Sequence, residues 1–151
     1  MLSVRVAADT DNAAALRIAQ QAFDELRSIY RPKELAMPVA SPKSVRLVAE
    51  ADDQIVGTVL YTTESDRLHL RGLAVDSLFR RAGVATALIE YLIELAKTAG
   101  LKSLSLYTVK QTGNVTIFDR LGFHIVSEEP AYWAVSGSGI ELTDVFMQKP
   151  V

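Results

Sequence analysis

Residues 73–88 decide the fold of this chain, and they read LAVDSLFRRAGVATAL. The first three of them end an apolar run that is typical of a strand. A basic turn with one glycine, Gly83, follows, and a long helical pattern begins directly after it. A strand, turn and helix in this order leave the first N–H groups of the helix unpaired. Because a helix start is partly positive and two arginines stand beside it, the segment favours an anionic ligand such as a pyrophosphate.

The same residues also fit an ordinary surface turn that carries a glycine and two solvated arginines. Neither standard nucleotide-binding motif is present, since the chain has no G-x-G-x-x-G and no G-x-x-x-x-G-K-[ST]. The turn by itself therefore leaves a phosphate-binding loop and a solvated turn as open alternatives.

Hydrophobic periodicity extends this unit in both directions. Apolar residues recur every three or four positions across 82–99, and Gly100 follows as a helix stop. Capping side chains at 9–12 open another helix that ends before Arg31, and the proline-containing stretch 32–43 is predicted as a loop. The remaining patterns predict strands at 2–7, 45–51, 54–62, 68–75, 103–109, 123–128 and 143–148, with a short helix at 114–121.

The resulting order, β-α-β-β-β-α-β-α-β-β, predicts a mixed α/β (α+β) fold with a largely antiparallel sheet and helices on both faces. The strand–helix–strand unit across 68–109 is the expected parallel pair, since such crossovers join parallel strands. With 151 residues, 16.5 kDa and 49% hydrophobic residues, the chain has the size of one domain spanning 1–151.

Composition argues against several classes of function. A net charge of −2 and a pI near 5.7 provide no basic field for nucleic acid, so no such partner is expected. With no cysteine and only two histidines, the chain has no thiol chemistry and no thiolate metal site, and a His-based site is not expected, so no metal is expected. No apolar run approaches the roughly 20 residues of a membrane span, and the start does not read as a signal peptide. We therefore expect a cytoplasmic protein without a membrane partner.

Two motifs carry a resemblance to a known family. The turn at 80–85, RRAGVA, fits the (Arg/Gln)-x-x-Gly-x-(Gly/Ala) signature of the GNAT acetyltransferase superfamily. The strand at 104–109, the short helix at 114–121 and the closing Leu-Gly-Phe at 121–123 resemble that family's C-terminal coenzyme A segment. The element order over nearly the whole chain is also similar to the family's. The resemblance implies a GNAT-like fold and an acetyl-CoA-dependent N-acetyltransferase, with acetyl-CoA as co-substrate.

The resemblance also implies roles for the residues at matching positions. In the family, the strand before the signature turn pairs with the pantetheine arm, and one of its N–H groups polarises the acyl carbonyl; here that N–H belongs to Leu73. The amides of the turn hold the pyrophosphate. The implied coenzyme-binding residues are Leu73, Ala74, Val75, Arg80, Arg81, Ala82, Gly83, Val84, Ala85, Thr86, Asn114 and Phe118.

The chain departs from the family pattern beside the departing thiolate. Many members carry a tyrosine acid where this chain has Phe118, which cannot donate a proton. Water could take its place, because a thiol with a pKa near ~8.5 leaves tolerably as the thiolate. Either Gln111 or Asn114 could supply an amide to the coenzyme, and Asn114 is preferred.

The second departure concerns the general base. Relatives that acetylate lysine have a glutamate at the position of His69, and a histidine with a pKa of about 6.5 could accept the same proton. The alternative is a cross-strand surface histidine. Side chains alternate along a strand, which predicts one shared face for His69, Arg71, Leu73 and Val75. The other histidine, His124, is expected to be structural or exposed.

The sequence indicates the acceptor-binding residues less clearly than the coenzyme-binding residues. The family places its acceptor cleft between the first helix with its following loop, the middle strands and the last loop, which nominates Arg27, Tyr30, Arg71, Tyr132 and Trp133. Arg27 with Arg31 and Arg71 could clamp a carboxylate, or these arginines could be solvated. The rings of Tyr132 and Trp133 could recognise a substrate or cover the end of the core. Glu128 and Glu129 would bind a cationic acceptor if they lay in the cleft.

The leading hypothesis is direct transfer of an acetyl group, in a ternary complex, to a primary amine of a small molecule. Two alternatives stay open. One is acetylation of a protein N-terminus or lysine, and the other is a non-catalytic acyl-CoA-binding regulatory module, suggested by Phe118. Apolar edge strands also make a homodimer possible.

Overall fold

The computed structural model describes residues 1–33 and 43–151. Its helices are α1 (Asn12–Leu26), α2 (Val84–Thr98) and α3 (Asn114–Arg120). Its strands are β1 (Leu2–Val6), β2 (Tyr30–Pro32), β3 (Val45–Ala51), β4 (Gln54–Glu64), β5 (Arg67–Val75), β6 (Ser103–Val109), β7 (His124–Pro130), β8 (Ala134–Ser136) and β9 (Thr143–Pro150). None of the helices in these two ranges is both long and apolar enough to cross a membrane.

Seven of the strands form one sheet in the order β1-β3-β4-β5-β6-β9-β7. Every neighbouring pair is antiparallel except β5 and β6, which are parallel and joined through α2. This arrangement confirms the predicted mixed, largely antiparallel fold. The parallel pair lies in the middle of the sheet, so it brings the turn at 80–86 to the end of β5.

Helices cover both faces of the sheet. The apolar side of α2 buries Leu88 and Leu92 completely in a core that also contains Leu68 of β5 and Leu104 of β6. Helix α1 contacts β4 and β5, and its buried Ala15 and Ile18 lie outside that core cluster. The two apolar faces of the central strands are thus covered by different helices, which explains why these strands read as nearly continuous hydrophobic runs.

The first helix is shorter than the predicted one. It ends at Leu26, and Tyr30–Pro32 instead forms a strand that pairs with Ala134–Ser136 in a separate two-stranded sheet. Tyr30 continues the helical spacing, but a residue near a proline favours extended backbone, and a distant partner strand is available. Most of the predicted loop at 32–43 lies outside the described residues.

Gly57 of β4 allows α2 to approach the sheet. A Cβ added there would lie 2.5 Å from Cγ1 of Val84 and 3.4 Å from the Ala74 carbonyl oxygen. We expect Gly57→Ala to lower the free energy of unfolding by about 1–3 kcal/mol, because overpacking forces the helix outward. Denaturant unfolding measures this change.

Removing the clashing methyl groups supplies the control for that prediction. In the Gly57→Ala/Val84→Ala double variant, part of the lost stability should return, with a coupling energy of about 1 kcal/mol or more. A Gly57→Ala variant as stable as the parent would contradict the close approach.

Candidate active site

Strands β5 and β6 separate along their length. They pair only at Arg67 with Ser103, Leu68 with Leu104 and His69 with Ser105. Beyond these residues the register contains no further pair, although both strands continue for several residues. The backbone of residues 70–75 therefore has a side free of β6, where an extended ligand can hydrogen-bond to it as a strand would.

A β-bulge interrupts β5 within this free stretch. Arg71 lies opposite Leu60 and Ala74 lies opposite Thr58, so Gly72 and Leu73 together occupy the place of one residue. Gly72 has φ +64°, a conformation that favours glycine. Neither Gly72 nor Leu73 has a partner in the register with β4, so the ladder of the sheet is interrupted at the residue whose N–H the resemblance assigns to the acyl carbonyl.

The bulge corrects the predicted alternation of β5. Leu73 and Val75 pack against the core beneath α2, the face to which Leu68 and Leu70 also belong. His69 lies between those two core residues in the strand, so its side chain is on the other face of the sheet. The prediction that His69, Leu73 and Val75 share a face is wrong, because a bulge shifts the two-residue period by one position.

A cleft of about 600 Å³ opens at the carboxyl end of β5, between α1, α2 and α3. Part of β5, the turn before α2 and the exposed side of α3 supply most of its walls. The residues lining it include Leu73, Ala74, Val75, Arg80, Arg81, Gly83, Val84, Ala85, Thr86, Asn114 and Phe118. With Ala82, which lies within the turn, these are the residues nominated for coenzyme binding, so the structure brings that set together.

The turn presents a row of backbone donors to this cleft. Gly83 has φ +80° and caps α2, and its carbonyl accepts the first helical bond, from the Ala87 N–H. Within the described residues, no backbone acceptor is recorded for the N–H groups of 81–86. A Cβ at Gly83 would meet no protein atom within 4 Å, so its place is open to a ligand. The partial positive charge of the helix start adds to these donors.

The two arginines of the turn are not equivalent. The Arg80 guanidinium makes two contacts of 2.7 and 2.8 Å with the carboxylate of Glu25, which ties α1 to the turn. Arg81, with φ +65°, forms no ion pair with any residue in the described ranges. Two free charges were expected here, but Glu25 offsets one of them, which sequence spacing does not show.

The two candidate side-chain amides near α3, those of Gln111 and Asn114, make different contacts. Gln111 accepts a bond from the Thr143 N–H at 2.9 Å and donates to the Thr143 hydroxyl at 3.3 Å, so its side chain joins the start of β9. Asn114 begins α3 and lines the cleft. Phe118 also faces it and packs edge-on against Phe123, with ring centroids 6.0 Å apart. Of the two amides, Asn114 is the one available to a ligand in the cleft.

His69 stands where β5 and β6 begin to separate. Its Nδ1 lies 2.8 Å from the Ser105 hydroxyl and 3.6 Å from a carboxylate oxygen of Glu64. Only 11% of the side chain is exposed, and the ring packs edge-on against Tyr107. Burial lowers the pKa of His69 below 6.5, and the attraction of Glu64 opposes that shift. The imidazole is therefore neutral at pH 7 and able to accept a proton.

The residues nominated for the acceptor do not form one group. Tyr30 and Trp133 meet edge-on, with ring centroids 5.6 Å apart, and Trp133 donates to Asp144 at 3.4 Å. Arg27 stacks on Phe23, whereas Arg71 donates to the Ser44 hydroxyl. Tyr132 is 75% exposed. The structure thus does not assemble an arginine clamp from Arg27 and Arg71, since each has a different partner.

Sequence reasoning missed two polar residues near these groups, Ser105 and Asp144, and it named Glu129 only as a residue that would bind a cationic acceptor if it lay in the cleft. Ser105 meets His69 only through the parallel register, and Glu129 faces Asp144 only through the pairing of β7 with β9. Glu128 has the other orientation, and its carboxylate binds Lys110 at 3.0 Å. The sequence signal for Asp144 was its position, because it is an acidic residue beside the apolar positions of β9.

Comparisons with known proteins agree with this geometry. The family model described as "Acetyltransferase (GNAT) family" matches residues 12–123. N-acetyltransferase 8 of Rattus norvegicus is 35% identical over 88 residues, which are 54% of this chain and 40% of the relative, so the match spans about two fifths of that protein.

Solved structures share the fold at low identity. The ribosomal-protein-S18-alanine N-acetyltransferase of Escherichia coli superposes with a TM-score of 0.75 and 21% identity, covering 100% of this chain and 94% of its own. A GCN5-related N-acetyltransferase from Kribbella flavida has a TM-score of 0.76 and 20% identity, with 99% and 98% covered. A Bacillus anthracis protein in complex with acetyl coenzyme A has a TM-score of 0.74 and 13% identity over both full chains.

Proposed function

Because this chain belongs to the acetyltransferase (GNAT) family, we propose that its cleft binds acetyl-CoA and that it acetylates a primary amine of a small molecule. One observation carries the proposal. The row of N–H groups at 81–86 opens into a cleft that continues along the free side of β5. An anionic head and an extended amide-bearing arm are the two parts of coenzyme A that these features suit.

The described residues fit this co-substrate. Gly83 leaves room for a pyrophosphate to approach the amides, and Arg81 supplies a cation that forms no ion pair with a carboxylate of the described residues. The backbone of Leu73, Ala74 and Val75 would pair with the pantetheine arm, and the Asn114 amide faces the same cleft. The Bacillus anthracis neighbour, which shares the fold, was solved with acetyl coenzyme A. When bound, acetyl-CoA supplies the activated acyl carbonyl.

The chain's own residues then have distinct tasks. The Leu73 N–H, which belongs to the bulge of β5, would donate to the carbonyl oxygen as negative charge develops there. His69 accepts the proton that the amine loses as its nitrogen bonds to the carbonyl carbon, directly or through one water. The carbon–sulfur bond breaks, and the coenzyme leaves as the thiolate, which takes its proton from water. No acyl-enzyme is required.

The paired strands β2 and β8 support a small acceptor. They carry Tyr30 and Ala134, which pack with Val109 of β6 and Leu142 in a second hydrophobic cluster. This cluster covers the sheet face beside Asp144, so the acceptor side has a wall there. A wall of this kind favours a bounded pocket over an open groove for a protein segment.

Titration calorimetry with acetyl-CoA, followed by thiol release with a panel of amines, tests the proposal. Binding together with amine-dependent thiol release is the expected result. Binding without release from any amine, peptide or protein acceptor would support a non-catalytic coenzyme-binding module, a candidate that Phe118 keeps open. Absence of binding would overturn the assignment of the cleft.

A Phe118→Tyr substitution tests whether the absence of a tyrosine that protonates the thiolate limits kcat. Because the thiolate is a tolerable leaving group, we expect the Kd for acetyl-CoA to stay the same and kcat to change by less than about tenfold. Steady-state kinetics and calorimetry on the same preparation measure both values. A larger rise in kcat would show that protonation of the thiolate limits the parent enzyme.

A further inference from the structure

Asp144 and Glu129 face each other on neighbouring strands. They are directly paired in the register of β7 and β9, so their side chains lie on the same face. No ion pair of the described residues includes either one, and the nearby Lys110 is bound to Glu128. Two like charges in this position destabilise a sheet unless a ligand or another group compensates them.

Within the described residues, one oxygen of Asp144 has no hydrogen-bond partner. This oxygen, Oδ1, is buried, and the one bond recorded there for Oδ2 is the long bond from Trp133. Burial raises the pKa of Asp144, and the charge of Glu129 adds to the effect. A buried, unsatisfied carboxylate oxygen costs folding free energy, so a donor from outside the chain would be strongly favoured there.

Two aromatic rings stand beside this carboxylate. Tyr30 and Trp133 are nearly perpendicular, at 88°, and Trp133 directs its N–H at Asp144. Trp133 is 44% exposed and Tyr30 is partly buried, so part of the ring pair reaches solvent. Aromatic faces attract ammonium groups, and Trp is the strongest of them. Carboxylates and ring faces together select a cation rather than an anion.

We propose that Asp144, Glu129, Tyr30 and Trp133 bind a second, non-reacting ammonium group of the acceptor, which makes a diamine the preferred substrate class. This inference rests on the proposed acetyl transfer for its reacting end. It also replaces the arginine clamp as the basis of acceptor recognition, since the structure separates Arg27 from Arg71.

The register indicates how long such a diamine is. Asp144 is opposite Val109 of β6, and Val109 is four residues beyond the pair that joins Ser105 to His69. Leu73 is also four residues beyond that pair, on β5. Asp144 is thus two strands from Leu73. Because β5 and β6 separate beyond His69, the distance exceeds the roughly 10 Å that two regular strand spacings would give. A linear chain of eight methylenes is closer to this length than a chain of five.

The test compares diamines with amino alcohols of the same length. With 1,5-diaminopentane and 1,8-diaminooctane, the better diamine should have a KM at least tenfold below that of the matching 5-aminopentan-1-ol or 8-aminooctan-1-ol. Asp144→Asn, which keeps the shape, should raise the diamine KM at least tenfold and remove most of this preference. Glu129→Gln should act in the same direction, and Glu128→Gln is the matched control that changes neither value.

Direct binding separates this inference from the proposed function. Calorimetry with the same diamines, with and without coenzyme A, should show a Kd at least tenfold weaker in Asp144→Asn than in the parent. Acetylation of the amino alcohols without any preference for diamines would overturn the inference and leave the proposed function intact. Diamine binding that depends on Asp144, in a protein that does not bind acetyl-CoA, would support the inference and overturn the proposed function. Diamine binding unaffected by Asp144→Asn, or none in either condition, would also overturn the inference.

Discussion

Gly83→Asp is expected to raise the Kd for acetyl-CoA about a hundredfold, a change of about 2.7 kcal/mol. The new side chain would enter the space that is open in the parent and would place a carboxylate beside the N–H groups of 81–86. Repulsion between that carboxylate and a pyrophosphate is strong in a partly desolvated cleft. Titration calorimetry measures the Kd, and circular dichroism verifies that the variant is folded.

Gly100 supplies the matched control at the other end of α2. It has φ +72°, and a Cβ there also meets nothing within 4 Å, so Gly100→Asp imposes a similar backbone strain away from the cleft. We expect that variant to bind acetyl-CoA as the parent does. If the folded Gly83→Asp protein retained the parent Kd, the turn would not be a pyrophosphate site.

His69→Gln is expected to lower kcat/KM about a hundredfold while leaving the Kd for acetyl-CoA unchanged. The amide can keep a bond to Ser105 but cannot accept the proton of the amine, and loss of a general base costs 10²–10⁴-fold. Steady-state kinetics with a saturating amine and calorimetry with acetyl-CoA separate the two effects.

The pH dependence of kcat/KM provides a sharper readout of the same residue. Since burial lowers the pKa of His69, the imidazole stays neutral at pH 6.5, and the acidic limb of the profile should lie below that value. Activity is present above the lowered pKa and falls as the pH drops through it. His69→Gln should eliminate this limb, whereas Ser105→Ala should keep it, with less than about a tenfold loss of rate. An unchanged limb in His69→Gln would assign it to another group.

The coenzyme side of the site could be predicted from sequence because it is built from consecutive residues. The N–H groups at 81–86 belong to one turn and one helix start, and the glycine and the helical period that produce them are local features. The adjoining residues of β5 are local as well. The acceptor side could not be predicted in the same way, since Tyr30, Trp133 and Asp144 come from three distant segments.

The sequence by itself determined the order of the helices and of the seven strands of the main sheet, the parallel crossover through α2 and the turn at Gly83, because periodicity and capping act over a few residues. Only the tertiary structure decided the bulge at Gly72, the pairing of β2 with β8, the Arg80–Glu25 contact and the opposition of Glu129 and Asp144. Each of these depends on the register between strands or helices far apart in the chain, and one residue of register decides which face a side chain occupies.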